Sequence, residues 1–319
     1  MADPWWQQYL GVVWMEIGRM WWIFILSALL VGLIKGYKLD LQIRDAVKRS
    51  GPFGILVAIG VGMVSPLCAC GILPVVISLA MIGTPLAPLL AILATSPTMG
   101  PDALLLTWRG LGMDWAMLKL VGSGALGLAV GMATLWAQKR GWLGADELLL
   151  KPVLREDGTL APAKEIGAAA GIEVRSMQIV PRSSKLRFIW DRSWDAALFT
   201  GKFLLLAILL EGLIVTLVPM QWITMLVGQK SIVSPLVASV IGLPLPTNQI
   251  PIIPILAGLL QRGIDQGAAY TLLLAGPVSS LPAMVALNGM FRRRVLVLFL
   301  GVSLTVSVLL GWGWQLMKF

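Results

Sequence analysis

Four uninterrupted apolar stretches constrain this chain most, since a helix needs a run of about 18 or more apolar residues to cross a bilayer. They lie at about Ile17–Tyr37, Trp115–Ala137, Ala196–Val218 and Val295–Leu316. Charged residues make up only 13% of the 319, whereas soluble domains carry about 25%. The sequence therefore predicts an all-α polytopic, multi-pass protein of the inner membrane.

Other apolar stretches are interrupted by proline and glycine. Leu86–Trp108 breaks at Ser96–Asp102, and Gly267–Gly289 breaks at Gly276-Pro277. Two longer stretches break near their middle. They are Pro52–Gly83, interrupted at Pro66–Gly71, and Val233–Gly263, interrupted at Pro244–Pro251. Irregular backbone at membrane depth is tolerated only where it is buried in protein or lines a cavity, so these breaks are candidate binding sites.

The breaks recur at one spacing. Four proline or glycine pairs have the same separation along the sequence: Pro66/Pro246, Pro74/Pro254, Gly83/Gly263 and Pro97/Pro277. We call this separation the repeat offset, and two residues separated by it are called equivalent. Common residues can match by chance, but four matches at one offset with similar hydropathy favour a duplication. Internal repeats are typical of transporter folds.

The distribution of basic residues predicts how the repeats are oriented. Lysine and arginine cluster in Lys35–Arg49, Lys139–Arg192 and Arg292–Arg294, and such loops are normally cytoplasmic. All three fall inside if each long broken stretch enters and returns as a hairpin, either re-entrant or two short spans. The halves are then inverted, and Arg109 and Lys119 are left among the outer-side charges. A single broken crossing is the alternative.

This topology divides the chain into four parts. Residues 1–19 are an interfacial segment, 20–137 the first repeat, 138–195 a cytoplasmic connecting loop, and 196–319 the second repeat. Each repeat has about three spans plus a re-entrant or split-helix hairpin. The loop is interpreted as a connector, with a small regulatory or partner-binding element as the alternative.

The first long break holds both cysteines of the chain, Cys68 and Cys70, followed by Gly71. Gly71 permits a tight turn, and a half-helix beginning there would place its partial positive charge beside the thiols and favour thiolates. Two thiolates suit a soft guest such as a trivalent arsenical, so a metalloid could bind at both cysteines. The alternative is that they are small apolar packing residues.

The second long break offers harder ligands. Thr247 and Asn248 suit a helix N-cap, and Gln249 follows them. In an inverted repeat the two tips would approach each other near the midplane, so these amide and hydroxyl groups would face the thiols.

Hydroxyl groups also flank the shorter breaks. Ser96 and Thr98 lie at the first and Ser279 at the second. They could line a cavity wall, or they could belong to simple proline kinks that neighbouring helices satisfy.

Two carboxylates inside spans could carry a coupling proton, because intramembrane charges are costly and often functional. They are Glu211, deep in its span, and Asp102. Glu211 could instead pair with Lys202, and Asp102 could cap a helix or pair with Arg109.

Composition excludes several classes of function. The chain has no histidine, and two cysteines cannot form a cysteine-only structural zinc site. It has no phosphate-binding Gly-x-x-x-x-Gly-Lys-Ser/Thr loop, so we do not expect it to use ATP. No cofactor and no resident metal are expected. Its net charge of +9 reflects basic loops rather than nucleic-acid binding. The expected partners are a small-molecule or metalloid substrate and membrane lipid, and a homo-oligomer is left open.

Three segments resemble a known family. Cys68–Val75, Ile82–Pro85 and Ala94–Gly100 are similar to the predicted-permease family that includes the organoarsenical efflux permease ArsP. Ala69 stands where that family commonly has serine between the cysteines. The resemblance covers about residues 20–317 without the long loop. It implies a permease rather than an enzyme, with arsenicals as substrates of part of the family.

The leading hypothesis is a secondary transporter that exports a small thiophilic solute, such as a trivalent organoarsenical, through a midplane site between the two long breaks. One alternative is a transporter of a small sulfur-containing anion, held at paired helix N-termini. Another is a membrane thiol oxidoreductase that uses Cys68 and Cys70.

Overall fold

The structure is a computed structural model, and every regular element in the residues it describes is an α-helix. The helices are α1 (Gly54–Val64), α2 (Leu86–Thr95), α3 (Pro101–Leu111), α4 (Met113–Lys139), α5 (Ser234–Gly242), α6 (Ile252–Gln261), α7 (Gln266–Val278) and α8 (Arg293–Met317). The described residues are 6–7, 9–11, 13–14, 18, 43, 45–47, 50, 53–65, 72, 75–76, 79–80, 84–143, 205, 209, 233–242, 252–261, 263–279, 284, 287–288 and 291–317. The all-α prediction is confirmed for this part of the chain.

Two of these helices, α4 and α8, are long and apolar enough to cross a membrane. They match the predicted spans Trp115–Ala137 and Val295–Leu316. The predicted spans Ile17–Tyr37 and Ala196–Val218 lie almost entirely outside the described residues, and the four-part division of the chain stays a prediction.

The helices of the second half begin at the spacing found in the sequence. α1 and α5 begin at positions 54 and 234, α2 and α7 at 86 and 266, and α4 and α8 at 113 and 293, so the starts in each pair are one repeat offset apart. The turn before α2 is closed by the Thr84 N–H, which donates to the Leu79 carbonyl at 3.0 Å. Its counterpart before α7 joins Ile264 to Leu259 at 3.2 Å. Helix order and local hydrogen bonding therefore repeat.

The packing repeats as well. α2 packs against α1 and α4, and α7 packs against α5 and α8, while α4 and α8 contact each other across the halves. Phe291 and Val295 of the second half are buried in the core formed by the first half. The equivalent residues of the first half, Leu111 and Trp115, pack against the core of the second half. Each half thus completes the core of the other.

Glycine permits close approach along both long helices. A Cβ added at Gly311 of α8 would lie 2.7 Å from the carbonyl oxygen of Gly267 and would collide with the hydroxyl of Thr271. A Cβ added at Gly131, the equivalent position of α4, would lie 2.7 Å from a methyl carbon of Ile55. The contact in the second half is with backbone, and that in the first half is with a side chain.

One predicted break is displaced. The break at Ser96–Asp102 is confirmed, since α2 ends at Thr95 and α3 begins at Pro101. The second break was expected at Gly276-Pro277, but α7 continues through both residues and ends at Val278. A proline in the last turn removes only one helical hydrogen bond, and the Ser279 N–H still donates to the Ala275 carbonyl at 2.9 Å.

Candidate functional site

The hydroxyl groups after α2 are buried at the first short break. The Thr98 hydroxyl donates to the carbonyls of Ala94 at 3.0 Å and Thr95 at 2.9 Å, and Ser96 is fully buried beside it. The Thr98 bonds satisfy helix-end carbonyls in the turn that contains Pro97, which has no N–H to offer. This bonding is what a proline kink requires.

The end of α7 has a similar bond between a hydroxyl and a helix carbonyl. Ser279 is fully buried, and its hydroxyl donates to the Ala275 carbonyl at 2.7 Å. A buried, hydrogen-bonded hydroxyl therefore lies near the end of both α2 and α7.

The other residues predicted to form the site lie outside the described residues. They are Cys68, Cys70, Gly71, Thr247, Asn248, Gln249 and Glu211. Helices on either side of them are described. α1 ends at Val64, with Ser65 in extended backbone, and Ile72 is helical. The described part of α5 ends at Gly242, and α6 begins at Ile252. The two long breaks themselves stay a prediction.

A buried cation occupies the N-terminal part of α4. Lys119 is fully buried, and its ammonium group donates to the Thr107 hydroxyl of α3 at 3.3 Å. The Thr107 hydroxyl in turn donates to the Ala103 carbonyl at 2.6 Å. Asp102, also on α3, acts electrostatically on the ammonium group. We call Asp102, Thr107 and Lys119 the polar triad.

Among the described residues, neither charged member of the triad finds all its hydrogen-bond partners. An ammonium group has three donors, and Lys119 makes one hydrogen bond to a described residue. The Oδ1 atom of Asp102 is buried and has no hydrogen-bond partner among the described residues. A buried polar group without a partner costs free energy, so the triad has free capacity to bind or exchange something.

The turns around α3 bring the triad together. Pro101 is the first residue of α3, a position where its missing N–H costs nothing, and Asp102 lies in the first turn, where the helix dipole favours a carboxylate. Gly112 joins α3 to α4 with φ of 102°, a backbone conformation that suits glycine. The two helices can then pack side by side, which puts Thr107 next to Lys119.

The triad lies at the seam between the two halves. Tyr270 of α7 donates its hydroxyl to the carbonyl of Leu118, the residue before Lys119, at 2.8 Å. α3 contacts α6, the helix that follows the second long break. In the residues described, no three His, Cys, Asp or Glu side chains converge as a metal site would need.

The structure adds detail to two expectations about this region. Lys119, expected among the outer-side charges, is buried within α4, and its side of the membrane stays a prediction. Arg109, the partner considered for Asp102, is exposed on α3, whereas the charge of Asp102 acts on Lys119. Counting charges does not reveal burial. The signal in the sequence was spacing, since Lys119 shares one helix face with Ser123 and Gly127, four and eight residues on.

Comparison with known proteins identifies the family. The profile of the ArsP_1 family, described as predicted permease, matches residues 9–314. The chain belongs to this family. As an ArsP_1 permease it is a membrane protein, in agreement with the apolar helices α4 and α8.

Curated relatives of this ArsP_1 permease match part of its length. UPF0718 protein MJ0584 of Methanocaldococcus jannaschii is 28% identical over 109 residues, which is 34% of this chain and 30% of the relative. UPF0718 protein YcgR of Bacillus subtilis is 26% identical over 128 residues, covering 40% and 42% of the two chains. The aligned part thus spans less than half of either relative. No solved structure matches the chain.

Proposed function

We propose that this permease exports a small thiophilic solute, such as a trivalent organoarsenical, by secondary transport. The observation that carries the proposal is the position of Cys68 and Cys70. They lie between the end of α1 at Val64 and the return of helical backbone at Ile72, in a chain that belongs to a permease family. Reactive thiols at an interruption inside a membrane protein are suited to holding cargo.

The two halves are proposed to be inverted repeats, 20–137 and 196–319, joined by a cytoplasmic connector at 138–195. The common offset between helix starts supports the duplication. The reciprocal completion of the two cores supports an approximate two-fold relation between the halves. In transporters built this way, the substrate site lies at the repeat interface near the bilayer midplane.

The proposed site combines soft and hard groups. Cys68 and Cys70 would bind the soft atom of the solute, with Gly71 allowing the turn that presents them. Thr247, Asn248 and Gln249 at the other break would offer hydrogen bonds. Ser96, Thr98 and Ser279 would line the walls beside the two long breaks, and the hydroxyl bonds of Thr98 and Ser279 stabilise helix ends there. A proton or ion gradient would drive export, with Glu211 and Asp102 as coupling carboxylates.

The test is uptake of methylarsonous acid, a trivalent organoarsenical, into everted membrane vesicles. The native chain is expected to accumulate it, and Cys68→Ser/Cys70→Ser is expected to lose the accumulation, because an alcohol does not replace a thiolate towards arsenic. Ser65→Ala is the matched control, since it borders the same break without altering a thiol.

Each other outcome has a defined meaning. Accumulation by the double variant at the native rate would show that the thiols are not the cargo site. If the native chain accumulates thiosulfate but not the arsenical, transport of a sulfur-containing anion replaces export of a thiophile.

A further inference from the structure

The second half of the molecule has different residues at the positions equivalent to the polar triad. The residues equivalent to Asp102, Thr107 and Lys119 are Pro282, Leu287 and Phe299. Leu287 and Phe299 are buried in the apolar core, at 2% and 1% exposure. At the positions of Thr107 and Lys119 the second half therefore has buried apolar side chains, which indicates that the fold itself does not need a hydroxyl or a charge there.

The charges also cost stability where they are. An ionisable side chain within a membrane span is expensive, and such residues usually mark an ion path or a proton relay. Lys119 is fully buried with one hydrogen bond to a described residue, and the Oδ1 atom of Asp102 has none. A fully buried lysine with one described hydrogen bond, at a position that the other half fills with an apolar side chain, calls for a functional explanation.

We propose that Lys119 carries the proton whose movement drives transport, with the negative charge of Asp102 acting on it and Thr107 holding the amine in place. The proposal deepens the proposed function, on which it rests, by naming Lys119 as the proton carrier and Asp102 as its counter-charge. The position at the seam fits this role, because Leu118, next to Lys119, is bonded to Tyr270 of the other half. If the two halves move relative to each other, this hydrogen bond would transmit the movement to the backbone beside Lys119.

One proton enters for each solute molecule that is exported. The loaded pair is a carboxylate at Asp102 and an ammonium group at Lys119, with no net charge. Release of one proton to the inside leaves the carboxylate and a neutral amine. One proton taken up from the outside restores the loaded pair, and one solute molecule is exported in each cycle.

Few other ionisable groups border the triad among the described residues. α1, α2 and α6 carry none. The ionisable groups of the elements that pack on α3 and α4, or belong to them, are Arg109, Asp114, Lys139, Tyr270, Arg293 and Arg294. Arg109, Asp114, Arg293 and Arg294 are exposed, and the Tyr270 hydroxyl is bonded to a carbonyl. Among the described residues, Asp102 is thus the carboxylate whose charge acts on Lys119.

The second half supplies a variant that removes the charges and keeps the packing. We call Asp102→Asn/Thr107→Leu/Lys119→Phe the apolar copy, because two of its changes install the residues of the other half. Arg109→Gln is the matched control, since it removes an exposed charge from the same helix. Both are compared with the native chain in everted vesicles, using methylarsonous acid as the probe.

Two transport measurements separate coupling from movement of the solute. Exchange of labelled for unlabelled probe, with no pH difference, reports movement alone. Accumulation with an acidic lumen reports coupling, and a difference of about one pH unit supports about tenfold accumulation in one-for-one antiport. The apolar copy is expected to retain exchange and to lose accumulation together with probe-induced proton loss from the lumen. Arg109→Gln is expected to retain all three.

Two results would overturn the proposal. Accumulation by the apolar copy at the native level would show that the triad does not couple. If the apolar copy loses both exchange and accumulation, yet elutes from a size-exclusion column at the same volume as the native protein, Lys119 contacts the solute instead.

An infrared measurement tests the pair without any solute, and so decides the proposal even if the native chain does not transport the probe. Difference spectra of the protein in lipid, between acid and alkaline buffer, are expected to contain a shift of a carboxylate stretching band, because the Asp102 carboxylate loses the influence of the ammonium charge when Lys119 releases its proton. Asp102→Asn and Lys119→Met are each expected to abolish this shift, whereas Arg109→Gln leaves it in place. Absence of such a shift from the native protein, or its persistence in Lys119→Met, would refute the proposal.

Discussion

The two halves share a packing plan but differ in chemistry. The buried faces of the long helices carry Lys119, Ser123, Gly127 and Gly131 in α4, and Phe299, Ser303, Ser307 and Gly311 in α8. Both cysteines also lie in the first half, where the second half has Asn248 and Ile250. Two halves with the same helix contacts can thus carry different chemistry. The first half holds the reactive groups, and the second half fills the equivalent positions mainly with residues that pack.

The largest expected effect comes from placing the charge of the first half into the second. Phe299→Lys would bury an ammonium group in the apolar core without a carboxylate nearby, and we expect it to lower the free energy of unfolding by about 3–5 kcal/mol or to prevent folding. Thermal unfolding in detergent, followed by tryptophan fluorescence, measures this. Phe299→Leu is the control. Native stability for Phe299→Lys would mean that the two sites are equally tolerant of charge.

The second largest effect is expected where glycine allows two helices to come into close contact. Gly311→Ala is expected to destabilise by about 1–3 kcal/mol, because its methyl group meets the Gly267 backbone, which cannot rotate away. Gly131→Ala should cost less, since Ile55 can adopt another rotamer. Gly301→Ala, which meets nothing within 4 Å, is the control. Melting temperatures of the three variants give the order, and a larger loss at Gly131 would contradict it.

The apolar copy tests the same comparison from the other side. Replacing a buried charge pair with apolar residues is often neutral or stabilising, by up to about 4 kcal/mol. We therefore expect the copy to melt at or above the native temperature while losing coupled transport. A clear fall in melting temperature would show that the first half depends on the triad for folding.

The smallest effects are expected at Ser123 and Ser303, which occupy equivalent positions. Their hydroxyl groups are buried and have no hydrogen-bond partner among the described residues. Change to alanine removes an unsatisfied group, so stability should stay level or rise by about 1 kcal/mol in each half. Ser307→Ala is the contrast, because that hydroxyl donates to the Ser303 carbonyl at 2.8 Å. Equal losses at all three would indicate that Ser123 and Ser303 do have partners.

Much of the described architecture could be predicted from the sequence. Apolar length predicted α4 and α8, and the proline and glycine spacing predicted the common offset between helix starts. The burial of Lys119 was missed, because hydropathy and charge counts are properties of segments, whereas burial depends on which helix lies opposite. The passage of α7 through Pro277 was missed for a different reason, since a proline in the last turn of a helix removes only one hydrogen bond and the turn can still close.

The reciprocal cores have a consequence for biosynthesis. When the ribosome has completed α4, the bundle of the first half still lacks Phe291 and Val295, which fill its core. Those side chains arrive almost at the end of the chain, around the start of α8. Until then the first half presents an open apolar face to the insertion machinery, and its final packing awaits the last helix. Neither half expressed alone should therefore mature, whereas two separately encoded halves should assemble when produced together.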